Sequence, residues 1–141
     1  MFLLKNYKFL SILGEGQFGF VKLAKEKSTG KKVAIKIVEK NKITHKYFES
    51  RILYEKEIVK TFDHLNVIKL YNIDEDPKKI YFIMEYCEKG DLFNYLTRKG
   101  KLNEDETSYF FFQITNGLEN IHHHGICHRD LKSENILSYR I

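Results

Sequence analysis

Only eight residues, Phe20 to Lys27, separate the glycine run Gly14-Glu15-Gly16-Gln17-Phe18-Gly19 from the turn signal Ser28-Thr29-Gly30. A parallel return strand needs a crossover of roughly a dozen residues or more. The strands flanking the glycines must therefore pair antiparallel, as a hairpin. This spacing argues against a dinucleotide-binding βαβ unit, although Glu39 stands 20 residues beyond Gly19 (39 − 19), where a ribose-binding acid would sit. A P-loop is excluded as well, because Gly19 is followed by Phe20-Val21 and not by Lys-Ser/Thr.

The rest of the first part continues the strand pattern. Tyr7 to Leu13, Phe20 to Ala24 and Lys32 to Val38 are short runs rich in β-branched and aromatic residues, divided by glycine turns. Val67 to Ile73 and Lys79 to Met84 make a second pair, joined by Asp74-Glu75-Asp76-Pro77, whose proline cannot continue a strand. Between the pairs, Phe48, Ile52, Val59 and Phe62 share one helical face. A second helix is predicted to start at Asn103, an N-cap with Glu106 at capping-box spacing, and to carry Tyr109, Phe110, Phe111, Phe112, Ile114, Leu118 and Ile121 on more than one face. The polar stretch 85–90 reads as a hinge between a sheet-rich lobe, 1–84, and a helical one, 91–141.

With 43% hydrophobic and 30% charged residues in 141, a packed core is affordable and disorder is not expected. The net charge of +5 is spread among nearly as many acids, with no basic stripe, so nucleic acid is not an expected partner. No apolar run reaches membrane-span length and Met1-Phe2-Leu3-Leu4 is too short for a signal peptide, so no membrane partner and a cytoplasmic or otherwise intracellular location are expected. Cys87 and Cys127 form no disulfide framework. The tract His122-His123-His124 with Cys127 and His128 is rich in metal-ligand types, but consecutive histidines at a helix end point in different directions and converge poorly.

Three groups of residues carry chemistry. Gly14, Gly16 and Gly19 let backbone N–H groups approach phosphate oxygens without Cβ clashes. Lys36 lies in Val33-Ala34-Ile35-Lys36-Ile37-Val38, apolar on both faces, where an unpaired ammonium is costly; it calls for an anionic partner, and Ala34 shares its face. Helix phase selects Glu55 as that partner, since Glu55 falls on the apolar stripe while Glu57 is about 200° away. In His128-Arg129-Asp130-Leu131-Lys132-Ser133-Glu134-Asn135, Asp130 can accept a hydroxyl proton, Lys132 can neutralise a transferring phosphoryl group, and Asn135 can hold a metal through its carbonyl oxygen.

In this order, these pieces resemble the eukaryotic protein kinase family over essentially the whole chain. The resemblance implies an α+β fold: a five-stranded antiparallel sheet with a C-helix, a hinge, and the start of a helical lobe. It also implies ATP and Mg as cofactors and a protein substrate with Ser or Thr. Gly14-x-Gly16-x-x-Gly19-x-Val21, with Leu13 before it, is similar to the family's phosphate-covering loop, Val33-Ala34-Ile35-Lys36 to its third strand, and Glu55 to the acid of its C-helix. By the same resemblance Met84 is the gatekeeper, the Glu85 carbonyl and Cys87 N–H hold adenine, and Asp91 contacts ribose or a basic substrate residue. Lys132, two residues after Asp130, marks the serine/threonine branch, and Met84-Glu85-Tyr86-Cys87-Glu88-Lys89-Gly90-Asp91 is most similar to the calcium/calmodulin-dependent and AMP-activated group. Leu65 and Ser133 replace prolines of the family pattern. No Asp-Phe-Gly or Ala-Pro-Glu follows Leu137, so the expectation is a fragment, or a naturally short relative, that is inactive by itself. The alternatives are a non-catalytic nucleotide- or partner-binding pseudokinase-like module and, distantly, a dinucleotide-dependent oxidoreductase.

Overall fold

The computed structural model describes residues 3–16, 19–42 and 63–138. They divide into two compact units. One holds the described residues up to Asp63 together with Ile68–Tyr86, the other His64–Val67 together with the described residues from Cys87 onward. The predicted helix carrying Phe48, Ile52, Glu55 and Val59 lies outside the described residues.

The first unit is a five-stranded antiparallel sheet of β1 (Tyr7–Gly16), β2 (Gly19–Glu26), β3 (Lys32–Glu39), β4 (Leu70–Glu75) and β5 (Lys79–Glu85), in the order β1-β2-β3-β5-β4. The glycine run is a hairpin, with Gly16 facing Gly19, and the dinucleotide reading falls with it. β3 and β5 are central, which explains their apolar character on both faces. On one face Val33, Ile35 and Ile37 pack with Ala24, Tyr81 and Ile83, with Leu4, Tyr7, Phe20 and Tyr71 at the margin. On the other, Val38, Ile80 and Phe82 pack with Leu70, Ile73 and Met84. Ile35, Ile83 and Phe82 are essentially inaccessible to solvent, each burial being worth about 1.5–3 kcal/mol.

The edges differ from the sequence expectation. β1 runs on to Gly16, and it carries two register shifts, between Phe9 and Ser11 and between Ile12 and Gly14. β4 begins at Leu70, not Val67, because residues 64–67 turn: Val67 N–H donates to the His64 carbonyl (3.1 Å) and Asn66 N–H to His64 Nδ1 (3.1 Å). It then extends through Glu75, since Asp76 alone closes the connection, its Oδ1 accepting from the N–H of Lys78 and Lys79 (2.7 and 2.8 Å).

The second unit holds helices α1 (Leu92–Lys99) and α2 (Glu104–His123). α2 starts as the sequence predicts: Asn103 Oδ1 accepts from Glu106 N–H at 2.9 Å and Glu106 Oε2 accepts from Asn103 N–H at 3.1 Å. Gly117 is the one buried residue of α2, and a Cβ there would stand 2.6 Å from the Asn66 carbonyl oxygen, so glycine is what lets residue 66 lie on the helix. Asn66 Nδ2 also donates to Gln113 Oε1 (3.2 Å). Tyr109, Phe111 and Phe112 are exposed. Among the described residues no helix is long and apolar enough to cross a membrane.

Candidate active site

Within the sheet unit the ladder registers place the sequence-predicted residues in two adjacent rows. Gly14 pairs with Val21, Val21 with Lys36, and Lys36 with Phe82. The next row on that face is Leu23, Ala34, Met84 and Leu70. Period-two alternation puts Ala34 and Lys36 on one face, and register then brings Gly14, Val21 and Met84 to that face. Lys36 is half-buried, with Nζ 5.6 Å from the centre of the Phe82 ring. Glu55 lies outside the described residues, so the Lys36–Glu55 pairing does too. Leu13 sits at the β1 register shift beside Gly14, exposed.

The three glycines have different reasons to be glycine. At Gly19 (φ 157) a Cβ would stand 1.9 Å from the Ile37 carbonyl oxygen, so the β2–β3 approach itself requires the missing side chain. At Gly14 nothing lies within 4 Å of an added Cβ, and at Gly16 the nearest atom is the Gly19 carbonyl oxygen at 4.0 Å. The described residues impose no steric demand at these two positions. Glu85, at the end of β5, is tied to the chain before β4: its N–H donates to the Lys69 carbonyl (2.9 Å) and its carboxylate accepts from Lys69 N–H (3.1 Å).

Within the helical unit, Cys87 is buried and its carbonyl accepts from Gly90 N–H (3.2 Å), turning the chain into α1. Asp91 is the N-cap of α1, its Oδ1 accepting from Asn94 N–H and its Oδ2 from Asn94 Nδ2, both at 2.7 Å. Asp91 also pairs with Leu137 in an antiparallel bridge, flanked by bonds from Leu92 N–H to the Ile136 carbonyl (2.8 Å) and from Ser138 N–H to the Gly90 carbonyl (3.0 Å). The segment after the loop 128–135 is thereby fastened to the start of α1.

That loop folds back on its aspartate. Asn135 Nδ2 donates to both the Asp130 carbonyl (2.7 Å) and Asp130 Oδ2 (2.9 Å), while Lys132 Nζ lies 3.5 Å from Oδ1. The Asn135 hydrogen bond, with Lys132 and His128 nearby, holds the Asp130 carboxyl below the usual aspartate range. His128 Nδ1 accepts from Asp130 N–H at 3.3 Å. Arg129 has φ 62, the one positive φ outside glycine among the described residues, and this reversal lets Asp130 turn back towards the His128 ring. Because the Asn135 amide spends its N–H donors on Asp130, its Oδ1 is left to accept, and no donor among the described residues reaches it.

Sequence reasoning missed the contributions of Arg129, His128 and Leu137. Leu137 is 44% exposed although it sits in a bridge beside Asp91. Neither that exposure nor the bridge leaves a mark in the sequence, because both depend on which distant segment Leu137 meets.

The sequence matches the family described as "Protein kinase domain" over residues 7–140. It is 44% identical over 134 residues to the serine/threonine protein kinase OSK3 of Oryza sativa subsp. indica, covering 95% of this chain and 26% of that protein. Identity is also 44% over 135 residues to the SNF1-related protein kinase catalytic subunit alpha KIN12 of Arabidopsis thaliana, 96% of this chain and 27% of that protein. The zebrafish (Danio rerio) maternal embryonic leucine zipper kinase matches equally well, over 96% of this chain and 20% of its own length. The chain thus spans about a quarter or less of the curated relatives it matches. A family match covering nearly every residue, on a sheet and loop carrying the family's motifs in order, makes this chain a member of the protein kinase family, in its serine/threonine branch.

Proposed function

We propose that this protein binds Mg-ATP and transfers its γ-phosphoryl group to a serine or threonine hydroxyl of a protein substrate. The observation that supports the reading is the double hydrogen bond from Asn135 to Asp130, which holds a carboxylate and an amide oxygen free to accept as one unit. Asp130 Oδ2 is occupied by Asn135, and Oδ1, with Lys132 Nζ 3.5 Å away, is the oxygen that takes the substrate proton. The substrate oxygen forms its bond to the γ-phosphorus as the bond to the β–γ bridging oxygen breaks, and ADP leaves with that electron pair. Lys132 offsets charge on the group in transit.

The residues present fit the cofactors. Asn135 Oδ1 is a hard oxygen of the kind magnesium prefers, and the unencumbered Cβ positions of Gly14 and Gly16 keep backbone N–H groups open to phosphate oxygens. Bound magnesium supplies neutralisation of phosphate charge. Lys36, on the row that begins at Gly14, is the cation for the phosphates; the resemblance to the family assigns Glu55 as its partner, Val21, Ala34, Met84 and Leu13 to the base, and the Glu85 carbonyl and Cys87 N–H to adenine. Asp91, its carboxylate already capping α1, receives ribose or a basic substrate residue through its remaining lone pairs, and Leu137 adds apolar surface beside it. The test is phosphorylation of a generic serine peptide by the full-length protein with Mg-ATP. Activity that disappears with Lys36→Met supports the reading; activity unchanged by Lys36→Met, or none in the wild type with every partner present, refutes it.

A further inference from the structure

The helical unit carries a feature that nothing in the reaction above uses. Lys89, Tyr95, Arg98 and Lys99 line an open groove of about 450 Å³ beside α1. Of the three cations only Lys99 is neutralised, by Glu106 of the α2 capping box, with the Tyr95 hydroxyl 3.2 Å from the same carboxylate. Lys89 and Arg98 have no carboxylate partner among the described residues. The nearby acid Asp91 accepts from Asn94 through both carboxylate oxygens and makes no ion pair with either cation among the described residues. A concave surface with two uncompensated cations and an aromatic wall is complementary to an anion carried on a flexible chain. The groove also shares a scaffold with the catalytic loop. Lys89 N–H donates to the Ser138 carbonyl (3.2 Å), Leu92 N–H to that of Ile136, and α1 packs on the turn Ser133–Asn135.

We propose that this groove is a specificity site that takes an acidic side chain of the protein substrate, a few residues from the phosphorylated hydroxyl. The inference rests on the kinase reading for the identity of its ligand. Lys99 holds the capping box, so Lys89 and Arg98 are the discriminating residues. Each exposed charge pair contributes roughly threefold in affinity, and the two factors multiply to about a tenfold preference, screened away by salt.

The test measures binding to the full-length protein, by fluorescence anisotropy at low salt, of a labelled peptide with one serine flanked by glutamates and of its glutamine counterpart. The glutamate peptide is expected to bind about tenfold tighter, and Lys89→Ala/Arg98→Ala to remove that preference while Lys89→Glu/Arg98→Glu reverses it. Both positions are exposed, and the melting temperature of each variant checks the fold. Equal binding of the two peptides, or a preference that survives the double alanine variant, overturns the proposal. So does displacement by phosphatidylserine vesicles without glutamate selectivity, which would mark a membrane-facing surface. Phosphorylation of the glutamine peptide, followed in the same preparation, reports on the kinase reading alone.

Discussion

The glycine loop can be dissected by one methyl group at a time. In Gly19→Ala the new Cβ stands 1.9 Å from the Ile37 carbonyl oxygen, in the β2–β3 ladder where Gly19 faces Val38. Ordinary packing requires the two strands to part there by about 1.5 Å, and overpacking of this kind costs about 1–3 kcal/mol. A ladder hydrogen bond weakened in the process adds about 1 kcal/mol. The sum, about 2–4 kcal/mol, is a large part of a domain stability of about 5–15 kcal/mol and lowers the melting temperature by about 10 °C. Gly14→Ala meets nothing within 4 Å and Gly16→Ala only ordinary contact, so both melt within about 2 °C of the wild type. Their defect is expected in Mg-ATP affinity, because the methyl group occupies space a phosphate must enter. Differential scanning fluorimetry and calorimetric titration with Mg-ATP on the full-length variants separate the two effects. A Gly19→Ala protein that melts like the wild type refutes the steric argument, and Gly14→Ala and Gly16→Ala proteins with unchanged Mg-ATP affinity refute the assignment of that space to phosphate.

Asp130→Asn is expected to keep Mg-ATP binding while turnover falls about 10²–10⁴-fold, as loss of a positioned base does; a parallel loss of affinity in the titration contradicts the role. Burial and the hydrogen bond to Asp76 push Tyr81 up to about 12, so the neutral phenol belongs to the fold. Its contribution is complete below about pH 10, the unfolded value, and is lost as pH rises through about 12; chemical denaturation against pH should show this alkaline drop in the wild type and not in Tyr81→Phe, which loses about 1 kcal/mol at neutral pH. Asn103→Ala removes one side of the α2 capping box and is expected to cost about 1 kcal/mol, read as a lower urea midpoint with unchanged slope.

How much could be read in advance depended on how local the cause was. The hairpin around Gly16 and Gly19 and the N-terminus of α2 were legible because turn residues and the Asn103–Glu106 box act over a few neighbours. α1 is hard to read in the sequence, although Asp91 before Leu92 and Gly100 after Lys99 are cap signals, because an eight-residue helix offers little apolar periodicity. The start of β4 differs from the sequence expectation because the turn at His64–Val67 is held by a ring nitrogen and by the close approach of Asn66 to Gly117, 51 residues away in sequence (117 − 66). At the candidate site, alternation placed Ala34 and Lys36 on one face, but the alignment of Gly14, Val21 and Phe82 with Lys36 is a matter of register, which no single strand encodes. The orientation of Asn135 towards Asp130 likewise depends on the backbone reversal at Arg129, a residue type that gives no sequence warning of positive φ.

The irregularities of the outer strands bear on how this protein survives at high concentration. β1 exposes Phe9, Leu10, Ile12 and Leu13 within one short stretch, a composition that invites a neighbouring molecule to add a strand and seed fibrous aggregates. Its two register shifts interrupt the row of backbone groups on either side of Ile12, and the shift between Leu70 and Asn72 does the same for β4 at the opposite margin. An incoming strand can match only two or three residues before its hydrogen bonds fall out of step, too few to repay its ordering entropy. The same bulges that bring Leu13 and Gly14 to their places at the candidate site also act as gatekeepers against self-templated assembly.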